Sequence, residues 1–342
     1  MSAHSNRCPL AIQIPNFVAN NSDLVMADTR RRPRFKRAPT GKNIRLQHRD
    51  YEVLRLLYRY RYLSSQRLTD FLAPDNPKKL VERLGDLFHE TSLVDRPVIQ
   101  QKRSGIGSGH AIYCLTKNGL YTLLERDVAF ADLDPVLPLR EDPHGAHRLF
   151  EHTVQISDVL SSIELSCLGN SGRRYITEGE ILRRLTGSED ASPALPDLSV
   201  NIPPSRFVPH QKNAVRLRIV PDALFGIQHG NGSDSLYQFY ALEVECTNPL
   251  RRRTLTKPSY VRKLLAYREL IYSNLGRDVL KIPHLTVIFA SSDPAKLQAM
   301  IDLASQIWNE EEQRFVLFRP LDEPGPTSCV EITDKWLKHF ET

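Results

Sequence analysis

Three carboxylates lie in stretches that the sequence predicts as strands. Asp222 lies within "VRLRIVPDALFGI", residues 215–227, and Glu243 and Glu245 lie within "LYQFYALEVEC", residues 236–246. The turn-forming sequence "HGNGSDS" separates the two stretches and predicts a hairpin that brings the three side chains together. Because side chains alternate along a strand, Glu243 and Glu245 share one face.

Three carboxylates that face one point repel each other unless a positive charge lies between them. Hard cations such as Mg²⁺ prefer carboxylate oxygens, so the pattern predicts Mg²⁺ as the cofactor. A metal held in this way activates water and stabilises the transition state of phosphoryl transfer. Two other interpretations stay open. Asp222 after a proline is typical of a turn, and Glu243 and Glu245 fit an exposed sheet edge paired with Arg251–Arg253.

Other metal chemistry has little support in the sequence. The five cysteines form no CxxC pair, so they predict neither a disulfide framework nor a zinc site. His144 and His152 lack a spacing typical of metal ligands, and His147 is interpreted as the start of a helix. No apolar run approaches the ~18 residues of a membrane span, and the N-terminus has no signal pattern, so a cytoplasmic protein is expected.

The carboxylates belong to a predicted α/β unit over residues 147–322. Its elements follow the order α-β-β-β-α-β-α-β, which is typical of a mixed sheet with helices on its faces. A long helix, "HRLFEHTVQISDVLSSIELSCL", comes first, with a strand near residue 176. Residues 187–214 are predicted to be a polar, proline-rich insertion. After the hairpin come a helix over Ser259–Ser273, strand "HLTVIFAS", helix "DPAKLQAMIDLASQIW" and strand "RFVLFRPL".

The positive charge lies at the front of the chain. The 342 residues carry a net charge of +6, divided as +7 over residues 1–46, +3 over 47–128 and −4 over 129–342. This asymmetry favours a nucleic-acid contact on the N-terminal side. Residues 1–45 are predicted to be a disordered basic arm, either a solvated tail or a phosphate-contacting segment. Its candidate DNA-binding residues are Arg30, Arg31, Arg32, Arg34, Lys36 and Arg37.

Residues 46–128 are predicted to form a small helical unit with a hairpin. A first helix precedes a second, "LSSQRLTDFL", with Ser64 or Ser65 as its N-cap, and a third that Asn76 caps and Pro77 begins. Two strands, around "PVIQQ" and "HAIYCLT", flank the basic link "KRSGIGSG", and a fourth helix, "KNGLYTLLERD", ends the unit. This order predicts a winged helix-turn-helix.

The third helix of such a unit enters the major groove of double-stranded DNA, and the hairpin tip contacts the backbone or the minor groove. The acidic residues Glu82 and Asp86 on the same helix keep open a unit that binds protein instead. The basic arm in front favours DNA. The candidate DNA-binding residues are Lys78, Lys79 and Arg83 on the helix, with Lys102 and Arg103 at the tip.

The Pro221-Asp222 pair and Glu243 resemble the PD-(D/E)XK nuclease fold. Glu178 or Glu180 matches the acidic residue that such folds often carry near the first strand. The usual lysine two residues after the glutamate is here Glu245, so Lys263, Lys257 or Arg252 would have to return the positive charge. The resemblance implies Asp222, Glu243, Glu245 and Lys263 as catalytic residues and Asp222, Glu243 and Glu180 as metal ligands.

A longer pattern, over about residues 46–295, resembles the replication-relaxation family of plasmid and mobile-element proteins. It comprises "LRLLYRYRYLSSQRLTDFL", "YCLTKNG", "HRLFEH", "VPDALF", "ALEVE…R…K…Y" and "VIFAS" in that order. The resemblance implies an α/β multi-domain protein, in which an N-terminal winged helix-turn-helix precedes a restriction-endonuclease-like mixed-sheet domain. It also implies a role in plasmid replication or DNA relaxation.

Three functions stay open at this point. The first is a DNA-binding protein of plasmid or mobile-element maintenance with a degenerate nuclease domain; the second is an active Mg²⁺-dependent DNA endonuclease; the third is a winged-helix transcription regulator. Expected partners are double-stranded DNA and plasmid replication or relaxosome proteins, without a membrane, and a homodimer is left open. Residues 129–146 are predicted to be a linker and residues 323–342 a C-terminal tail.

Overall fold

A helical N-terminal unit and an α/β unit follow each other along the chain. The computed structural model describes residues 32–102, 110–125, 147–186, 195–232, 235–246 and 248–321. The first unit contains α1 (His48–Tyr60), β1 (Leu63–Ser64), α2 (Ser65–Leu72), α3 (Pro77–Asp86), β2 (Val94–Asp95), β3 (Ile112–Leu115) and α4 (Lys117–Leu124). The second unit contains α5 (His147–Leu168), β4 (Arg173–Ile176), α6 (Glu178–Thr186), β5 (Leu198–Ile202), β6 (Val215–Ile219), β7 (Ala223–His229), β8 (Leu236–Val244), α7 (Tyr260–Tyr272), α8 (Leu275–Leu280), β9 (Thr286–Ser291), α9 (Pro294–Ile307), α10 (Glu310–Gln313) and β10 (Val316–Pro320).

Side-chain caps fix where the helices of the first unit begin. Ser64 accepts a hydrogen bond from the backbone N–H of Arg67 at the start of α2, and Asn76 accepts one from Lys79 N at the start of α3. Pro77 is the first residue of α3, where its missing N–H costs nothing. The predicted caps at Ser64 and Asn76 are confirmed. The short strands pair antiparallel in the order β1-β3-β2.

The strand predicted around "PVIQQ" is wrong. β2 ends at Asp95, and Val98–Lys102 form a 3-10 helix instead. The side-chain amide of Gln100 takes the place of a strand partner for Ile112. Gln100 Nε2 donates to Ile112 O at 2.9 Å, and Ile112 N donates to Gln100 Oε1 at 2.8 Å. One side chain thus satisfies the backbone groups that a longer strand was expected to pair.

Residues 32–42 contact the C-terminal end of α3, which differs from the disordered arm predicted through residue 45. Arg32 forms ion pairs with Asp86 at 2.8 Å and with Glu90 at 2.7 Å. Lys42 Nζ lies 2.5 Å from the other oxygen of Asp86. These contacts use cations that were expected to be free for phosphate. Residues 1–31 lie outside the described residues.

A five-stranded mixed sheet is the centre of the second unit. Its strand order is β10-β9-β8-β7-β4, in which β8, β9 and β10 are parallel and β7 is antiparallel to β8 and β4. The predicted α/β class with a mixed sheet is confirmed. Strands β5 and β6 form a separate antiparallel ribbon. Within the described ranges, no helix has the length and apolar character needed to cross a membrane.

The single strand predicted over residues 215–227 is wrong, because the structure divides it in two. β6 ends at Ile219 and pairs with β5, whereas β7 begins at Ala223 and pairs with β8 and β4. Pro221 lies between them and has no N–H to continue a ladder. The division leaves Asp222 at the junction between the ribbon and the main sheet.

The predicted insertion over residues 187–214 contains a strand that the sequence analysis missed. β5 has the alternating pattern "LSVNI", with Leu198, Val200 and Ile202 buried. Its partner β6 alternates in the same way, with Leu217 buried. The ribbon therefore has one apolar face turned to the second unit's core and one polar face.

Helix α5 joins the two units. It packs against α2 and β1 on one side and against β4 and β8 on the other. Its buried residues Leu160 and Ile163 belong to a single hydrophobic cluster that also includes Leu54 and Leu57 of α1 and Phe225 of β7. The two units therefore share part of their core.

Glu164 of α5 fixes the polar side of this joint. Arg59 donates to both oxygens of Glu164, with Nη2 3.0 Å from Oε2 and 3.1 Å from Oε1, and the hydroxyl of Tyr60 donates to Oε2. Ser157 Oγ donates to the backbone carbonyl of Tyr60 at 2.6 Å. The end of α1 is thus bound to α5 by a charge-assisted network.

We expect Glu164→Gln to lower the free energy of unfolding by about 2 kcal/mol, because Arg59 and the Tyr60 hydroxyl lose their charged acceptor. Urea denaturation measures the loss. Asp197→Asn is the matched control, since Asp197 forms its ion pairs with Arg216 and Arg218 on the exposed ribbon. Equal effects of the two substitutions would contradict a stabilising role for the joint.

Candidate functional site

Glu243 and Glu245 lie at the end of β8, the central strand of the sheet. Glu243 is only 3% exposed and Glu245 only 8% exposed. The interpretation of the two glutamates as part of an exposed sheet edge, paired with Arg251–Arg253, is therefore wrong. Leu242 and Val244 point away from them into the core that α5 shares. The two glutamates therefore face α7 on the opposite side of the sheet, as the alternation predicts.

Lys263 of α7 supplies a positive charge to both glutamates. Its Nζ is 2.6 Å from Glu243 Oε2 and 3.8 Å from Glu245 Oε2. Tyr267 lies one helical turn further along and donates its hydroxyl to Glu243 Oε1 at 2.6 Å. The spacing of four residues puts Lys263 and Tyr267 on one face of the helix. Both oxygens of Glu243 are therefore bound by α7.

Asp222 lies beside this pair and is bound from the other side by α5. Its Oδ2 accepts the backbone N–H of Val244 at 2.8 Å. His152 Nε2 lies 3.1 Å from the same Oδ2 and 3.0 Å from the carbonyl oxygen of Val244. Because a carbonyl oxygen can only accept, Nε2 carries the proton and donates to both. We call Asp222, Glu243, Glu245, Lys263, His152 and Tyr267 the acidic cluster.

The cluster shifts the pKa values of its members. Burial raises the pKa of Glu243 to about 7, because the contacts from Lys263 and Tyr267 offset only part of the desolvation. Burial also acts to raise the pKa of Asp222, but His152, Lys263 and the Val244 N–H outweigh it and the pKa is lowered. Burial acts to lower the pKa values of Lys263 and His152, yet the neighbouring carboxylates raise both. These directions favour a cationic Lys263 and an ionised Asp222.

This donor arrangement does not fit Mg²⁺, the cofactor that the three carboxylates predict. Both oxygens of Glu243 already accept from Lys263 and Tyr267, and the ammonium group of Lys263 lies within ion-pair distance of both glutamates. A metal between Glu243 and Glu245 would have to displace it. Across the described ranges, no group of three or more His, Cys, Asp or Glu side chains is arranged as metal ligands.

The predicted ligand Glu180 is bound by residues outside the acidic cluster. Glu180 lies at the start of α6, where it accepts from Thr177 N at 3.1 Å and forms an ion pair with Arg174 at 2.6 Å. Glu178 accepts the backbone N–H of Leu224 at 3.0 Å. Of the three predicted metal ligands, Asp222 and Glu243 interact with each other, whereas Glu180 is bound by Thr177 and Arg174.

The candidate DNA-binding residues fall into two groups. Lys36, Lys78 and Lys79 are exposed. Arg32 and Arg37 form ion pairs within the first unit, Arg37 with Asp95 at 3.0 Å. Arg83 binds buried Asp50 through two nitrogens, at 2.9 and 2.6 Å, and this arrangement is typical of a structural ion pair.

Of the remaining candidates, Arg34 lies within the described residues, and Lys102 does so only in its backbone. The backbone carbonyl of Arg34 accepts from Arg96 at 3.0 Å. Lys102 ends the 3-10 helix, and its side chain lies outside the described residues. Arg30, Arg31 and Arg103 also lie outside them.

Two members of the acidic cluster were not predicted. Tyr267 carries a signal in the sequence, because it lies four residues after Lys263 on a predicted helix. His152 carries none, since 70 residues separate it from Asp222 and its bond depends on how α5 crosses the sheet. Comparison with protein-family models, with curated proteins and with solved structures gave no match for this chain.

We expect Lys263→Met to lower the free energy of unfolding by about 3 kcal/mol at pH 8, because two buried carboxylates lose their cation. The loss should shrink as the pH falls to 6. A folded-state pKa above the unfolded value contributes stability at low pH and loses it as the pH rises, and removing Lys263 raises the pKa of Glu243 further above 7.

Urea denaturation at the two pH values measures this dependence. Lys263→Arg keeps the charge and is the matched control, so it should retain most of the stability at both pH values. The interpretation fails if Lys263→Met loses the same free energy at pH 6 and pH 8.

Proposed function

We propose that the protein binds double-stranded DNA through the N-terminal unit, with α3 docking in the major groove. The observation that carries this proposal is the exposed start of α3, where Lys78 and Lys79 stand free of ion pairs within the described residues. The helix N-terminus adds a favourable partial charge for phosphate. The buried face of α3, with Leu80 and Leu84, packs into the unit and leaves this end accessible.

The order of elements supports the proposal. The element order α1-β1-α2-α3-β2-β3, with an antiparallel sheet that pairs as β1-β3-β2, resembles the order expected of a winged helix-turn-helix. In that motif the last of the three helices is the one that reads the groove. The corresponding helix here is α3.

The ion pairs of residues 32–42 remove one objection to DNA binding. Asp86 and Glu90, at and after the end of α3, would repel phosphate if they were unpaired. Arg32 and Lys42 neutralise Asp86, and Arg32 also pairs with Glu90. The acidic character that favoured a protein-binding unit is therefore reduced, although Glu82 stays exposed.

We further propose a role in plasmid or mobile-element replication or DNA relaxation, on the resemblance to the replication-relaxation family. The α/β unit would then be an endonuclease-like domain used for binding or assembly with replication or relaxosome proteins. The ion pair between Lys263 and Glu243 supports this assignment, because it satisfies the acidic cluster without a metal. A homodimer on the DNA is compatible with this role.

Lys78→Ala/Lys79→Ala should weaken binding to duplex DNA about tenfold and lower the slope of log K against log salt by about 2, since each lost phosphate contact removes ~0.9 of slope. Fluorescence anisotropy with a labelled duplex measures both. Arg83 is left intact in this variant, because its loss would unpair buried Asp50.

Arg277→Gln/Arg314→Gln is the matched control, since it removes two exposed cations from the α/β unit. It should bind DNA as the unaltered protein does. Equal affinities of the control and the lysine variant would count against docking of α3 and for a protein-binding N-terminal unit.

A metal-dependent DNA endonuclease is the second candidate. The observation that favours it is the position of Lys263 beside Glu243 and Glu245. The nuclease pattern has a lysine where this chain has Glu245, and Lys263 supplies that positive charge from α7. The ion pair that Lys263 forms in this structure counts against it, because a metal would have to displace that lysine.

Plasmid nicking in Mg²⁺ or Mn²⁺ tests this candidate, with Glu243→Gln as the comparison. We expect no metal-dependent nicking while duplex binding stays intact, because Lys263 occupies the glutamate pair. Nicking that is lost in Glu243→Gln would reverse the order of the two candidates.

A further inference from the structure

The cations of the α/β unit are concentrated in two segments. Residues 147–321 hold 21 Lys and Arg and 19 Asp and Glu. The segments 198–220 and 248–263 contain ten of these cations and none of the acids. The remainder of the unit therefore carries an excess of negative charge, and the two segments stand out as local positive surface.

Both segments border α7, the helix that carries Lys263. The loop 248–258 leads directly to Ser259, which caps the helix by accepting from Arg262 N at 3.2 Å. The ribbon of β5 and β6 packs along the same helix. Leu255 of the loop and Leu217 of the ribbon belong to one hydrophobic cluster with residues of α7. Both segments therefore contact α7, although 50 residues separate their starting points, 198 and 248.

Eight of the ten cations in these segments are exposed to solvent. Arg216 and Arg218 share an ion-pair partner in Asp197, at 3.0 and 3.8 Å, and all three side chains are more than half exposed. Within the described residues, Arg252, Arg253 and Lys257 form no ion pair. The exposed set, which we call the basic border, comprises Arg206, Lys212, Arg216, Arg218, Arg251, Arg252, Arg253 and Lys257.

The neighbouring acidic cluster opposes an anion at this border less than its three carboxylates alone would. Lys263 neutralises Glu243 and lies near Glu245, while His152 donates to Asp222. The carboxylates are also buried, whereas the border is exposed, so a bound phosphate meets the arginines first. Arginine suits phosphate because its planar guanidinium donates two parallel hydrogen bonds.

We infer that the basic border is a second DNA-contacting surface, which binds the phosphate backbone of a duplex without reading its sequence. The inference rests on the proposed function for the identity of the ligand, but it needs no docking of α3. The polyanionic backbone fits a surface with eight exposed cations, against which the ion pairs set the exposed acid Asp197.

Arg252→Gln/Arg253→Gln tests this surface. Binding is measured with a labelled duplex of about 40 base pairs of arbitrary sequence, between about 50 and 200 mM salt. We expect the variant to bind about tenfold more weakly and to lose about 2 from its salt slope. Arg277→Gln/Arg314→Gln, which removes two exposed arginines outside the border, should match the unaltered protein. Urea denaturation checks that both variants fold.

The outcomes separate this inference from the docking of α3. If the Arg252/Arg253 variant binds like its control while Lys78→Ala/Lys79→Ala binds weakly, the basic border is no DNA surface and the proposed function stands. If the arginine variant binds weakly and the lysine variant is unchanged, the border is supported and the docking of α3 is overturned. If the unaltered protein loses no affinity between the two salt concentrations, phosphate contacts do not drive binding and both fail.

Discussion

A carboxylate buried on a central strand requires a positive charge beside it. In the second unit Lys263 supplies this charge to Glu243, and the neighbouring elements are arranged around that ion pair. The strand cannot supply that charge itself, because the side chain two residues later is another glutamate. The charge has to come from a helix on the same face of the sheet. This requirement fixes how α7 lies over the end of β8, with Lys263 and Tyr267 both on Glu243. The β5-β6 ribbon then packs along α7, so its position follows from the same ion pair.

Helix α5 applies a corresponding constraint on the opposite side of the sheet. His152 binds Asp222 near one end of the helix, and Glu164 binds Arg59 and Tyr60 further along. The apolar residues between them pack in one cluster with both units. A single helix therefore serves the acidic cluster and the joint between the units. Asp222 is bound by α5 and Glu243 by α7, so the two carboxylates depend on elements from different faces.

Local rules predicted the parts of this arrangement that depend on neighbouring residues. Alternation along β8 put Glu243 and Glu245 on one face, and capping rules gave the starts of α2 and α3. The errors arose where one residue changes the partner of a strand. Pro221 divides a continuous apolar pattern between two sheets, and Gln100 replaces a strand with side-chain hydrogen bonds. The sequence left Lys263, Lys257 and Arg252 as candidates for the cation beside the glutamates, because the packing of α7 decides which of them reaches Glu243. His152 depends in the same way on the path of α5.

The shared core has a consequence for how DNA would meet the protein. His152 and Glu164 are twelve residues apart on α5, which is about 18 Å along a helix. Since Glu164 is bound to α1 and His152 to the junction before β7, the first unit has a fixed position relative to the main sheet. A duplex docked on α3 would therefore have one fixed orientation relative to the α/β unit rather than a range of orientations. If the basic border lies along the path of that duplex, its contacts add to the affinity of α3 with little further ordering cost.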